Sequence, residues 1–345
     1  MRIIRLLMIC VIVTIPFLVK TETISMLQWN IWQEGTMVKG GYDAIVNEIV
    51  RLQPDFVAFS EVRNYNDTDF LARLIDDLKL RGRTYYSHYS YDSGILSRFP
   101  IEQFDTIFPH KQDHGSMYRI YVTSPENNRF AIYSAHLDYQ NCAYYESRGY
   151  SGVDWKECEL PESVDELLMK NDLSMRDDAI KCFIREANKD VSDGRIVLIG
   201  GDFNEPSMLD WIDENADKYD HNGFIVPWTV SKIMLENGYV DAFRKVYPDP
   251  VLNPGFTYPS ANSSVDISKL TWAPKSDERE RIDFIYFKNP ESCKMTIDDI
   301  MIFGPNESVK RSTIEPDTPN DKFILPLNIW PTDHKGLLVK ISIFP

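Results

Sequence analysis

The chain has 345 residues, of which 43% are hydrophobic and 26% are charged, as expected for a folded globular protein with a sizeable core. Its formal net charge of −15 disfavours a protein that binds nucleic acid through a broad basic surface, since such a surface requires an excess of lysine and arginine. The sequence also lacks internal repeats and any linker rich in glycine and serine, so a single domain is expected.

The first 23 residues have the pattern of a secretory signal peptide. Arg2 and Arg5 precede an apolar run over residues 6–19, and the polar sequence KTET follows that run. The run is too short to span a membrane comfortably, which favours a cleaved signal peptide over an anchor. We therefore predict a signal peptide over residues 1–23, a folded domain over residues 24–345, and a secreted or periplasmic location. An uncleaved anchor stays the alternative, because no clear cleavage motif of small residues is present.

Hydrophobic spacing predicts four helices along the remainder of the chain. Apolar residues recur at intervals of three and four, which places them on one face of a helix. Pro54 ends the first helix, Asp67 or Thr68 caps the second, and Gly238 ends the last. The predicted helices cover residues 43–53, 67–80, 171–190 and 228–238.

Strands outnumber the helices. Short apolar runs bounded by glycine, proline and polar residues predict three or four strands between residues 85 and 136. Further strands are predicted over residues 24–32, 55–62, 195–204, 281–287, 295–303 and 336–344. Most of the middle strands are close neighbours in sequence, as in hairpins, so the sheets should be mainly antiparallel or mixed.

Four cysteines follow the predicted signal peptide. None of them forms a C-x-x-C pair, which disfavours a structural zinc site. Cys142 and Cys158 bracket a loop-like segment and are expected to form a disulfide in an oxidising compartment. Cys182 and Cys293 are expected to be buried free thiols.

Polar side chains lie at the ends of these strands. The sequence LIGGDFNEP, residues 198–206, places Asp202 and Asn204 two residues apart just after an apolar strand. Taken alone, this pattern indicates an Asx turn, in which both side chains bind only nearby backbone. Other polar residues at strand ends are Asn30, Glu61, His136, Asp283, Asp333 and His334. Oxygen ligands of this kind suit Mg²⁺ that shares its shell with a phosphate, and histidines beside carboxylates suit proton transfer.

Seven segments resemble motifs of the endonuclease/exonuclease/phosphatase superfamily and occur in that family's order. They are LQWNIW, PDFVAFSEV, SGILSRFPI, YSAHLDY, GGDFNEP, ERIDFIYFK and TDHKGLL, and they extend over residues 24–345. The superfamily includes deoxyribonucleases, abasic-site endonucleases, neutral sphingomyelinases and inositol polyphosphate phosphatases. The resemblance implies a four-layer α/β sandwich, in which two mainly antiparallel or mixed central sheets are flanked by helices.

The resemblance also implies hydrolysis of a phosphoester by a metal-assisted water molecule. Glu61 would be the principal metal ligand, with Asn30 beside it, and Asp333 would complete or adjust the metal shell. The expected metal is Mg²⁺, with Mn²⁺ as a possible substitute. The motifs do not indicate whether one or two metal ions are bound.

Five further residues are implied to carry the chemistry. His334 would act with Asp283, whose carboxylate would orient the imidazole and stabilise its charged form. His136 would contact the phosphate, Asp202 would orient or deprotonate the attacking water, and Asn204 would hold a phosphate oxygen. Members of the family differ in which group is the general base, so that assignment stays open.

Other histidines match no motif of the family. His88, His110, His114 and His221 are expected at the surface or in loops, as is usual for histidine. Asp92 stands just before the SGILSRFPI segment and is a candidate for orienting His136.

A cluster of aromatic residues follows the YSAHLDY segment. Tyr144, Tyr145, Tyr150 and Trp155 lie between residues 139 and 160. Such a cluster either forms a small core beneath a long loop or lines a binding site, and the sequence favours neither interpretation.

The sequence therefore predicts a secreted, Mg²⁺-dependent phosphoric ester hydrolase, either a phosphodiesterase or a phosphatase, that acts on a small or lipid-linked phosphoester. One alternative is a secreted Mg²⁺-dependent deoxyribonuclease, which the acidic charge disfavours. Another is a non-enzymatic secreted effector that keeps the fold. We expect a monomer that has no membrane span once the signal peptide is removed.

Overall fold

The computed structural model describes residues 21–109 and 114–344. Most of the predicted signal peptide lies outside the described residues, so its cleavage stays a prediction. The first strand begins at Glu22, two residues before the predicted start of the mature chain, and the buried Glu22 carboxylate accepts hydrogen bonds from Ser124 and Asn128. In the two described ranges, no helix is long and apolar enough to cross a membrane.

Strands and helices alternate irregularly along the described residues. The strands are β1 (Glu22–Asn30), β2 (Phe56–Val62), β3 (Asp92–Ser97), β4 (Gln103–Phe108), β5 (Gly115–Thr123), β6 (Arg129–Leu137), β7 (Ile196–Asp202), β8 (Val240–Asp241), β9 (Asp283–Lys288), β10 (Lys294–Phe303), β11 (Glu307–Lys310), β12 (Thr313–Pro316), β13 (Phe323–Ile324) and β14 (Gly336–Phe344). The α-helices are α1 (Gly41–Leu52), α2 (Phe70–Leu80), α3 (Val164–Asn171), α4 (Arg176–Ser192), α5 (Thr229–Glu236) and α6 (Ala242–Val246).

Most strands belong to two six-stranded sheets. The strand order is β13-β10-β14-β1-β2-β3 in the first sheet and β4-β5-β6-β7-β9-β8 in the second, while β11 and β12 form a separate hairpin. The parallel pairs are β1 with β2, β6 with β7 and β10 with β13, and the other pairs are antiparallel. The prediction of mainly antiparallel or mixed sheets is therefore confirmed.

The two sheets pack face to face through the side chains that point inward from alternate positions of their strands. Met26 and Ala58 of the first sheet and Ile132 and Leu198 of the second belong to one buried apolar cluster. Near the end of β7, a Cβ atom on Gly200 would lie 2.9 Å from Met26 Cε and 3.0 Å from Ala58 Cβ. Glycine therefore allows the sheets to approach closely just before the polar end of β7.

Helices cover the outer face of each sheet. Ile45 of α1 and Leu74 of α2 pack with Val57 against the first sheet. Phe183 of α4 packs edge-to-face on Tyr133 of the second sheet, with ring centroids 4.9 Å apart. The layers follow in the order helices, sheet, sheet and helices, which confirms the predicted four-layer α/β sandwich.

Helix α2 begins later than its predicted cap. Asp69 is the N-cap, and its side chain accepts a hydrogen bond from the backbone N–H of Ala72. The predicted caps, Asp67 and Thr68, lie outside the helix, because Asp67 has a left-handed φ of 55° and ends a separate 3₁₀ turn.

The predicted helix over residues 171–190 corresponds to α4, which begins later, at Arg176, while α3, which ends at Asn171, was not predicted. At the start of α4, the backbone N–H of Met175 donates to the carboxylate of Asp138. Asp138 follows β6 and is distant in sequence, so a local reading of hydrophobic spacing does not detect this contact. This contact holds the start of α4 against the segment that leaves β6.

The predicted disulfide between Cys142 and Cys158 is wrong. All four cysteines among the described residues are free. The buried Cys142 thiol donates to the carbonyl of Tyr139, whereas Cys158 is exposed and its backbone N–H donates to the carbonyl of Gly149. Cys182 and Cys293 are only partly buried, because each lies at the margin of an apolar cluster.

Candidate active site

The polar strand ends meet at one edge of the two sheets. In the second sheet, His136 on β6 pairs with Asp202 on β7, and Asp202 pairs with Asp283 on β9. These three side chains therefore start from neighbouring positions on adjacent strands. Asn30, at the end of β1 in the first sheet, crosses the space between the sheets and donates a hydrogen bond to Asp202.

Glu61 is directed toward this edge by an irregularity in β2. The pairing of β2 with β3 shifts between Ser60 and Val62, which leaves Glu61 as an extra residue with a left-handed φ of 70°. Such a bulge re-aims a side chain, and its backbone strain is typical of functional positions. The Glu61 carboxylate accepts hydrogen bonds from Gln33 N at 2.8 Å and from Asn30 Nδ2 at 3.1 Å.

Asp202 lies at the centre of the group. Its Oδ1 accepts a hydrogen bond from Asn204 N at 2.9 Å, so the Asx turn indicated by the sequence does form. Its Oδ2 accepts from Asn30 Nδ2 at 3.0 Å and lies 3.8 Å from His136 Nε2 and 3.7 Å from His334 Nε2. These last distances are too long for direct hydrogen bonds, so both rings face the carboxylate without being bonded to it.

His334 and Asp283 form a hydrogen-bonded pair. The Nδ1–H of His334 donates to Asp283 Oδ2 at 2.9 Å, and Gln28 Nε2 donates to the other carboxylate oxygen at 2.7 Å. Burial alone would lower the pKa of His334, but the carboxylates of Asp283, Asp202 and Asp333 raise it to about 10. The pair therefore fixes the orientation of the ring and favours its charged form.

His136 is held by a second acid in the same way. Its Nδ1–H donates to Asp92 Oδ1 at 2.8 Å, and Arg63 lies 3.0 Å from the same oxygen. Burial lowers the pKa of His136, whereas Asp92, Asp202 and Glu61 together raise it to about 9. The position of Asp92 agrees with the orienting role suggested by its place in the sequence.

Asn204 occupies the turn that follows Asp202. Its backbone has a left-handed φ of 50°, and its side-chain Nδ2 donates to the carbonyl of Leu137 at 3.0 Å. An amide group has two N–H donors, so this bond leaves one of them for a ligand. Asn204 lines the same cavity as Asp202.

The carboxylates at this edge form an oxygen-rich set that fits a divalent cation. Glu61, Asp202 and Asp333 line one cavity. Burial raises the pKa of Asp333 to about 7; the carboxylates of Glu61 and Asp202 also raise this pKa, whereas His334 lowers it. Crowded buried carboxylates of this kind are stabilised by Mg²⁺, which prefers oxygen ligands. The donor atoms of Asp202, Asp283 and His334, all within 4.8 Å of one another, form an overlapping group that could also hold a metal.

Asn30 is oriented differently from a direct metal ligand. Its amide nitrogen faces Glu61 and Asp202, while its Oδ1 accepts a hydrogen bond from Trp32 N at 2.9 Å. In this arrangement Asn30 positions the two carboxylates. Its predicted role as a ligand stays a prediction.

The cavity has a volume of about 380 Å³, and aromatic side chains form much of its lining. Tyr144 and Tyr145 line the cavity and also belong to a buried cluster that includes Trp211. The prediction of a small core is therefore confirmed, and the same rings also face the cavity, where a role in binding stays a prediction. The lining residues that sequence reasoning missed include Arg63, Cys142, Tyr258 and Trp272. Of these four residues, only Arg63 could have been predicted from the sequence, because it stands two residues after Glu61.

The segment that carries these tyrosines is anchored by a buried ion pair. Arg148 forms a salt bridge with Glu280, and both side chains are almost completely buried. His221, which was predicted at the surface or in a loop, lies in a loop but is buried. It contacts Glu280 at 3.2 Å and stacks on Trp211 with ring centroids 3.7 Å apart, so this ion pair and the aromatic cluster enclose the imidazole.

The other histidines that match no motif of the family either are more exposed than His221 or lie outside the described residues. His88 is exposed and stacks on Phe104, as a surface residue can. His114 is partly exposed and contacts Asp138 at 3.0 Å. His110 lies outside the described residues.

Replacing Arg148 with alanine should lower the free energy of unfolding by about 3–5 kcal/mol, because Glu280 would stay buried without its charge partner. Urea unfolding at neutral pH measures the change. The matched control is Lys156→Ala, which removes an exposed lysine paired with Asp154 and should leave the midpoint unaltered. A comparable loss in both variants would show that the burial of the pair is not decisive.

The chain is similar to known proteins over most of its length. The model of the endonuclease/exonuclease/phosphatase family matches residues 27–334. An uncharacterized protein of Caenorhabditis elegans, F14F9.5, is 25% identical over 273 residues, which cover 77% of this chain and 79% of that protein. The catalytic domain of human nocturnin is 15% identical with a TM-score of 0.50, covering 93% of this chain and 94% of the other. A family protein from Leptotrichia buccalis is 15% identical with a TM-score of 0.49, covering 92% and 99% of the respective chains.

Proposed function

Because the family match extends over most of its length, this chain belongs to the endonuclease/exonuclease/phosphatase family, whose members hydrolyse phosphoesters, and we propose that it is a secreted, Mg²⁺-dependent phosphoric ester hydrolase. The proposed substrate is a small or lipid-linked phosphoester. The observation that carries the proposal is the convergence of two acid-held histidines on Asp202, beside Glu61 and Asp333 in one cavity.

Each of these residues has a role that follows from its contacts. Glu61 and Asp333 would hold Mg²⁺, which would act as a Lewis acid toward a phosphoryl oxygen. Asp202 would orient the attacking water, since its Oδ2 faces the space between both rings. His334, oriented by Asp283, would hold or move a proton at Nε2.

Two further donors would stabilise charge on the phosphate. His136 presents Nε2 toward the cavity while Asp92 holds its other nitrogen. Asn204 has one amide N–H that is not used by the carbonyl of Leu137. Donors fixed in advance in this way stabilise a developing charge without reorganisation at the moment of reaction.

The lining of the cavity favours a small substrate over nucleic acid. None of the described residues that line it is a lysine, and its single arginine, Arg63, is paired with Asp92. Binding to a polynucleotide draws much of its affinity from lysine and arginine that neutralise successive phosphates. A single phosphoester needs positioning and charge stabilisation at one phosphorus only.

A substrate panel tests the proposal. The mature protein with Mg²⁺ is expected to hydrolyse an aryl or head-group phosphoester and to nick supercoiled plasmid poorly at physiological salt. Phosphomonoesters, phosphodiesters, sphingomyelin and plasmid DNA would be compared in one buffer. Efficient Mg²⁺-dependent nicking that Glu61→Ala abolishes would favour the deoxyribonuclease. Failure to hydrolyse any member of the panel would favour the non-enzymatic effector.

Removal of the metal should abolish activity, and Mg²⁺ or Mn²⁺ should restore it, because the candidate ligands offer oxygen atoms. Binding also has a readout that does not depend on turnover, since a metal that binds the folded state raises Tm. Glu61→Gln and Asp333→Asn should each reduce the Mg²⁺-dependent rise in Tm. Asp154→Asn, at an exposed surface ion pair, is the control and should keep the full rise. Full activity after exhaustive chelation would contradict the metal requirement.

A further inference from the structure

Four aromatic side chains form a continuous surface on one side of the cavity. Tyr144 and Tyr145 have ring centroids 4.5 Å apart, Trp155 lies 5.0 Å from Tyr145, and Trp272 lies 5.1 Å from Trp155. We call these four residues the aromatic wall. Tyr258, whose ring lies 4.7 Å from that of His334, connects the wall to the catalytic residues.

The wall is held in place by two buried arginines. Arg148 donates to the carbonyls of Tyr144 and Asp277, so it joins the loops that carry the wall. Arg176 donates to carbonyls within residues 138–141, where the chain leaves β6. The wall therefore exists before any ligand binds, which reduces the entropy cost of binding.

The groups behind the wall include a buried acid, Glu278, whereas Arg148, which lies 5.7 Å from the centroid of the Tyr144 ring, is paired with Glu280. Glu278 accepts hydrogen bonds from Tyr145 Oη and from the backbone N–H groups of Trp272 and Ala273, each at 3.1 Å. No lysine or arginine within the described residues forms a salt bridge with Glu278, and burial raises its pKa. A bound cation would therefore relieve this buried acid, whereas a bound anion would not.

These features restrict the group that the wall can accept. A second phosphate or a carboxylate would enter a site that has no lysine in its lining and a buried acid behind it. Aromatic faces attract cations through their quadrupole, and quaternary ammonium groups suit such sites because they lose little hydration. A neutral group of equal size would gain only the apolar contact.

We propose that the aromatic wall is a subsite for an organic cation, of the quaternary ammonium class, that is joined by a short linker to the phosphoester hydrolysed at Asp202 and His334. This inference rests on the proposed function and extends it by assigning the charge of the substrate's organic group. The wall would bind this group, while the phosphate occupies the space between the two histidines.

A pair of matched substrates tests the proposal. One is the 4-nitrophenyl phosphodiester of choline, and the other is the corresponding 3,3-dimethylbutyl diester, in which carbon replaces the ammonium nitrogen. We expect kcat/KM to be about 5- to 30-fold higher for the cationic ester, the range that a cation held against aromatic faces provides. Equal kcat/KM for the two esters would overturn the subsite while leaving the hydrolase function intact.

Substitutions in the aromatic wall test whether the preference for the cationic ester arises there. Trp272→Leu removes a half-exposed ring and should lower kcat/KM for the cationic ester by a larger factor than for the neutral ester, which loses only an apolar contact. Trp155→Leu should do the same, and Tyr89→Leu, at an exposed ring that does not line the cavity, is the control. A preference that survives both tryptophan substitutions would contradict the assignment to the wall.

A binding measurement tests the subsite even if neither ester is hydrolysed. Tetramethylammonium should change the tryptophan fluorescence of the wild-type protein at a lower concentration than tert-butanol does. Trp272→Leu should weaken that response. An equal response to the two probes would overturn the subsite, whereas selective binding without hydrolysis of either ester would retain it and contradict the hydrolase function.

Discussion

Replacing His334 with alanine should lower kcat by about two to four orders of magnitude, the usual effect of losing a positioned acid–base group. The ring is buried, its Nδ1–H is bonded to Asp283, and its Nε2 faces Asp202. Alanine removes every one of these contacts, while KM should change less, because the proposed phosphate donors His136 and Asn204 would remain. The measurement is steady-state hydrolysis of the best substrate from the panel.

Asp283→Asn should reproduce part of that loss, since the imidazole would keep a neighbour but lose its orienting charge. The two losses should not be additive, because the residues act as a unit. His88→Ala is the control, since His88 is exposed and stacks on Phe104. A double variant at positions 283 and 334 that shows the product of the two single losses would mean that the residues act independently.

Replacing Asp202 with asparagine should also lower kcat by about two to four orders of magnitude. The substitution keeps the shape of the side chain and removes the charge that both imidazole rings face at 3.7–3.8 Å. It also replaces an acceptor of the Asn30 amide with a group that can present a donor there, so Asn30 and Glu61 should lose their alignment. The expected signature is a fall in kcat together with a weaker response of Tm to Mg²⁺.

Asp154→Asn provides the matched control for Asp202→Asn. Asp154 is an exposed aspartate that is paired with Lys156 and does not line the cavity, and its substitution should alter neither kcat nor the metal response. Full activity of Asp202→Asn would exclude Asp202 from the chemistry and leave the histidines to position the water by themselves.

Much of the fold follows from local patterns in the sequence. Apolar runs such as residues 24–32 and 55–62 predict buried strands, and helical spacing predicts α1 within two residues at either end. These patterns succeed because burial of one face requires a fixed period, which is two in a strand and about 3.6 in a helix. The start of α4 was predicted too early, because the contact of Met175 with Asp138 at that point joins residues far apart in the chain.

The sequence also located most of the candidate site. Asp202, Asp283 and His136 were identified because a polar side chain at the end of an apolar strand needs a partner or a function. Their register across β6, β7 and β9 brings them together, and hydrophobic alternation along the strands constrains that register. The resemblance to a known family added the roles that residue type and spacing could not assign.

The sequence by itself determined most helices and strands, the strand ends and the residue types that they carry, because those depend on interactions between near neighbours, while the resemblance to a known family implied the four layers. Only the tertiary structure decided which amide atom of Asn30 faces the carboxylates, that His221 is buried, and that Trp272 joins Tyr145 in one wall. Such features depend on contacts between segments far apart in the chain, including the buried pair of Arg148 and Glu280. The free energy of a buried pair is set by desolvation and geometry, and neither quantity is encoded in the local order of residues.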